Sequence, residues 1–129
     1  MSVGKAIYSI LNSDSPVNTA ATGGIYPDFI PQGKVPPFIA YRIQDSQFNE
    51  TKDGVSSLDE FDITVVAIAK TTNTADDLAI KIRTALDGYD GTANGVVVDS
   101  IFITDKSTRH NEAAEMMEIE QDFTVRIKN

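Results

Sequence analysis

Residues 116–128, "MMEIEQDFTVRIK", alternate without a break. Met117, Ile119, Gln121, Phe123, Val125 and Ile127 fall on one side, and Glu118, Glu120, Asp122, Thr124, Arg126 and Lys128 on the other. A period of two is incompatible with a helix. It requires an extended strand with one face in a core and one in water. Residues 58–70, "LDEFDITVVAIAK", repeat the pattern, with Phe61, Ile63, Val65, Ala67 and Ala69 on one face. The opposite face is polar at Asp62 and Thr64 and apolar at Val66 and Ile68. That predicts a strand covered on both sides toward its far end. A third alternating run occupies 37–45, and "VVVDSIFIT" at 96–104 reads as a further strand.

Helical spacing occurs twice. Val3, Ala6, Ile7, Ile10 and Leu11 form one apolar stripe of a short helix, which "NSDSP" ends, Pro16 barring continuation. Thr74 and Asp77 form a capping-box-like pair opening a second helix with the stripe Leu78, Ile82, Ala85 and Leu86. Asp76 and Asp77 are expected at the positive end of its dipole, and Gly88 just past its C-terminus. Ile25 and Tyr26 suit a short strand, and "YDGTANG" (89–95) a turn-rich link. Three polar or Pro/Gly-rich segments, 13–37, 44–57 and 105–115, read as long loops. The expected fold is α+β: a mainly antiparallel sheet of four to five strands, two helices packed on it, and long loops, in a single domain spanning 1–129.

Composition narrows function mostly by exclusion. With 129 residues, 41% hydrophobic and 23% charged, the chain suits one folded core. Its formal net charge is −8, with 19 acids against 11 Lys and Arg and no basic cluster, which disfavours binding to nucleic acid or to an anionic membrane. No apolar run approaches the roughly 20 residues of a membrane span, and the N-terminus lacks the features of a signal peptide. Cysteine is absent, which removes disulfides, thiol nucleophiles and the usual zinc ligand sets. The single histidine, His110, precedes Asn111-Glu112 in an H-x-E pattern, but the cysteines that would complete a zinc deaminase site do not exist. No serine stands in a G-x-S-x-G context, and no phosphate loop or complete calcium loop is present. Glu118, Glu120 and Asp122 line one strand face at about 7 Å spacing. Such a face suits a solvated surface, a pair of hydrolytic carboxylates, or a wall that meets a like-charged polymer without holding it. No catalytic, metal or cofactor-binding residue is assigned.

Four of the five prolines, Pro27, Pro31, Pro36 and Pro37, lie between Gly23 and Ile43. They stiffen an arm with no partner strand of its own. Its apolar residues Ile25, Tyr26, Phe29, Ile30 and Phe38 would either dock on a neighbouring subunit or cover the domain's own core. Phe48, Arg109 and His110, on the loops 44–57 and 105–115, are the other candidate interface residues, positioned to order on contact with a neighbour.

The segments "IYPDFIPQGKVPPFIAYRI", "DGVSSLDEFDITVVAIAK" and "TADDLAIKIRTALDG", followed by a closing alternating strand, together resemble the tail-completion or tail-terminator proteins of long-tailed bacteriophages. The resemblance spans about Ile7 to Ile127 and is weakest over 105–115. It implies an α+β domain that joins five copies of itself in a hexameric ring on the end of the tail tube. The ring would stop tube polymerisation and present a joining surface to the neck or connector protein. DNA would pass through without specific binding. It implies no enzyme activity, no cofactor and no membrane, and a place in the virion after synthesis in the bacterial host cytoplasm. Glu118, Glu120 and Asp122 are then expected to face the lumen. The alternatives are a neighbouring head-completion or neck protein, a cytoplasmic ligand-binding module, and a small hydrolase using Glu118 and Glu120.

Overall fold

A computed structural model describes residues 3–28, 33, 35–47, 58–112 and 115–128. The candidate interface residues Phe29, Ile30 and Phe48 lie outside them. The described elements are α1 (Val3–Ser13), α2 (Ser15–Ala20), β1 (Ile25–Pro27), β2 (Phe38–Gln47), β3 (Leu58–Ala69), α3 (Thr72–Leu86), β4 (Gly91–Ala93), β5 (Val96–Asn111) and β6 (Met116–Lys128). The strands form one six-stranded sheet in the order β1-β2-β3-β6-β5-β4. All neighbours are antiparallel except β1 and β2. The α+β class and the antiparallel character therefore hold, while the described residues form six strands rather than four to five and three helices rather than two.

α1 buries Val3, Ala6, Ile7, Ile10 and Leu11, the stripe that its spacing predicts. The following turn behaves differently from expectation. Asp14 caps a second helix by accepting a hydrogen bond from the Val17 N–H at 3.1 Å, and Pro16 sits in that helix's first turn. Proline has no N–H to lose there, so it starts α2 as readily as it ends α1.

α3 begins earlier than the Thr74–Asp77 pattern predicts. Its cap is Thr71, whose hydroxyl oxygen accepts from the Thr74 N–H at 3.2 Å. Asp76 and Asp77 consequently fall beyond the first turn, where the helix dipole has weakened. Ala75, Leu78, Ala79, Ile82 and Leu86 are buried. Gly88, with φ +82°, follows the C-cap residue Asp87.

The apolar faces of the sheet and the helices form one core, with Ile7, Leu11, Ile39, Ile63, Leu78, Ile82, Ile101, Ile119, Phe123 and Ile127 almost fully buried. On the other face no described helix lies against β3 and β6. Val66 is nevertheless buried there beside Phe38, as the apolar second half of that strand face predicts.

The Pro-rich segment is not a partnerless arm. Ile25–Pro27 pair in parallel with Ile39–Tyr41; Pro27 is the last residue of β1, and Pro36 and Pro37 lead into β2. A parallel pair cannot be closed by a tight hairpin, so a longer return is needed. The return comes close to Gly23: a Cβ there would stand 2.1 Å from the Val35 carbonyl oxygen. Ile25, partly buried, packs against the core, and Phe38 is buried.

The largest departure concerns 105–115. β5 continues to Asn111, which pairs with Met116 of β6, so 105–111 are strand rather than loop. In "YDGTANG" a short strand, β4, folds onto β5 through Asn94 and Gly95, both at positive φ. Two such residues provide the twist that a tight hairpin requires.

Candidate functional site

The sheet face without helices gathers the ionisable residues. β6 contributes Glu118, Glu120, Asp122, Arg126 and Lys128. The paired registers place Glu60 and Asp62 of β3, and Asp105 and Arg109 of β5, on the same face. Arg42 of β2 joins them across Thr64. Six carboxylates thus meet four bases, and the surplus is acidic. The three acids that alternation placed together remain together, and their closest bases, Arg109 and Arg42, come from the neighbouring strands β5 and β2.

Arg109 organises one cluster. Its Nη2 donates to Glu118 Oε1 at 3.2 Å and also to Glu120 Oε1. Asn111 Nδ2 donates to the second Glu118 oxygen at 3.2 Å. Arg42 lies 4.0 Å from Glu120. A second cluster sits toward the other end, where Arg126 approaches Glu60 at 3.6 Å and lies 5.2 Å from the centre of the Phe102 ring. Between them Thr64 donates to Asp122 at 2.7 Å and Thr124 donates to Asp62 at 3.0 Å. These hydroxyls are buried and join β3 to β6 across the face.

Hydrolysis by paired carboxylates needs substrate space between them, and here Arg109 occupies the position between Glu118 and Glu120. Among the described residues no group of three or more His, Asp or Glu could hold a metal ion. Also among the described residues, no helix is long and apolar enough to cross a membrane.

The remaining candidates separate. Arg109 faces the acidic wall. His110, the next residue along an extended strand, projects to the opposite side, across from Met117, and is exposed. Tyr26 is half-buried, and its hydroxyl donates to the Gly23 carbonyl. The sequence reading missed a cleft of about 300 Å³ where β1 stops, lined by Gly4, Lys5, Pro27, Asp28, Tyr41, Arg42 and Ile43. The Tyr41 phenol is pushed above its ordinary range of about 10 by burial, and secondarily by Tyr8 and Asp28. Asp28 has φ +66°, a hint that composition alone does not carry.

Comparison with known proteins gives a consistent assignment. The family described as "Tail completion protein gp17" matches residues 5–128. No curated protein matches the chain. Among solved structures, a chain from the "Virion of native gene transfer agent (GTA) particle" has 23% identity and a TM-score of 0.77. The match covers 98% of this chain and 95% of that one. At this identity the likeness establishes a shared fold.

Proposed function

Because the chain belongs to the tail completion family, and so is a structural component of the virion tail, we propose that it closes the tail tube as a homo-hexameric ring. The ring ends tube polymerisation and offers the surface to which the head's neck protein joins. The family match across residues 5–128 carries this reading. The solved chain of similar fold comes from a virion particle, which supports it.

The acid-surplus wall supplies the physical role. Turned toward the lumen, Glu118, Glu120, Asp122 and their neighbours repel passing duplex DNA. Arg42, Arg109 and Arg126 are held by carboxylates rather than presented singly to phosphates. Phe38 contributes little to a subunit interface, because its own domain buries it, while Ile25 is only partly covered by the core it packs against. His110 remains available for one.

Loss of the gene tests this reading. Overlong tails, or tails unjoined to heads, are the expected outcome. Tails of normal length beside unattached, leaking heads would instead assign the chain to the neck. Normal infectious particles would overturn both assignments.

A further inference from the structure

Among the described residues, β5 and β2 each run on past the short strand that flanks them and leave a stretch of edge uncovered, and the two stretches are not alike. β4 covers β5 only over Val96–Val98. Beyond it, the Gly88 N–H donates to the Ile101 carbonyl at 2.7 Å, and the Ile103 N–H donates to Asp87 Oδ1 at 3.0 Å. From Thr104 onward no described strand lies outside β5. A register shift between Ile103 and Asp105 changes which residues point outward. Alternation from Asp105, paired with Asp122, leaves the backbone groups of Lys106, Thr108 and His110 facing away from β6. Asp105 satisfies the Lys106 N–H with its own carboxylate at 2.8 Å. Thr108 and His110 have no such device.

The second open stretch lies on β2. β1 covers it through Tyr41, whose carbonyl accepts from the Asp28 N–H at 2.8 Å. Asp28 then turns away at positive φ, and no described strand covers Ile43 to Gln47 on that side. The cleft lined by Pro27, Asp28, Tyr41 and Ile43 opens at this point, and Ile43 is 45% exposed.

We propose that these two edges join successive copies of this chain: residues 104–110 of one copy add as a strand beside Ile43–Gln47 of the next. The inference rests on the ring reading above and specifies the contact that builds the ring. Polarity supports it. β2, β3, β6 and β5 alternate in direction, so β5 of one copy beside β2 of another continues the antiparallel sheet. Two unlike edges make a head-to-tail contact, the kind that closes into rings. Faces also agree. Lys106, Thr108 and His110 project to the helix side, the side on which Ile43 lines the cleft. Pairing two β5 edges about a two-fold axis would instead set Lys106 against His110 of the other copy, a less favourable match. Main-chain hydrogen bonds across such edges are a recurring mode of protein association.

The test is Thr108→Pro. This N–H points outward, so proline removes no bond within the chain, as on other edge strands. Circular dichroism and thermal melting should be nearly unchanged, while native mass spectrometry shows ring assembly weakened roughly tenfold or more. The chain has no cysteine, so a Thr108→Cys, Ile43→Cys double variant gives a second readout. A short bis-maleimide should link it into a ladder of multimers ending at the ring, whether or not the proline variant folds. A wild-type ring that survives Thr108→Pro, with no ladder from the cysteine pair, overturns the edge contact alone. A wild-type chain that stays monomeric both in solution and on tail-tube ends overturns the ring reading and this inference with it.

Discussion

From Val96 to Ile101, β5 dips in and out of the core, with Val96, Val98 and Ile101 at 1–2% exposure. From Thr104 to His110 every residue of the same strand is exposed. The inner part is held by apolar burial under the helices. The outer part is held by its ladder to β6 and by side chains such as Arg109 reaching Glu118 and Glu120. The difference shows that a strand can be extended for two unrelated reasons. Burial leaves a period in the sequence, and pairing with a well-patterned neighbour leaves none.

Substitution should separate the two parts sharply. Ile101→Ala is expected to cost about 2–5 kcal/mol and lower the melting temperature by roughly 10 °C. Ser107→Ala should stay within about 0.5 kcal/mol. Equal effects in thermal or urea unfolding would remove the distinction.

Where the parts meet, Gln121 is opposite Lys106 and 1% exposed, and its Oε1 has no hydrogen-bond partner. An unpaired buried carbonyl is costly, so Gln121→Met should stabilise the chain by about 1–2 kcal/mol. A loss in chemical denaturation would show that the amide serves the fold in another way. On the outer part, Arg109→Ala should cost at most about 1 kcal/mol, an effect that fades at high salt. A larger, salt-independent loss would mean that the outer part of β5 contributes to the core's cooperativity.

Tyr41 gives the smallest effect. Its folded-state phenol titrates above the unfolded value of 10.0, so the unfolded chain releases the proton first. Stability is retained below about pH 10 and falls as pH rises toward the folded value. Tyr41→Phe should reduce this alkaline loss in pH-dependent melting.

The same contrast explains what the sequence disclosed. The faces of β3 and β6, the stripe of α1 and the acids Glu118, Glu120 and Asp122 were legible because each repeats at its element's period. The outer half of β5 was not, since "DKSTRHN" is polar on both faces. Pro16 misled because proline suits a helix start as well as a stop. β1 was visible as a short strand, but its parallel pairing with β2 depends on contacts distant in sequence. Arg109's place among the acids followed only once β5 and β6 were known to be paired.

The most direct test adds the purified protein to tail tubes assembled from tube protein and examines the ends by negative-stain electron microscopy. The account predicts a six-fold ring on one end of each tube, a central opening wide enough for duplex DNA, and no further growth from that end. Bare ends that keep elongating in the presence of excess protein would contradict it.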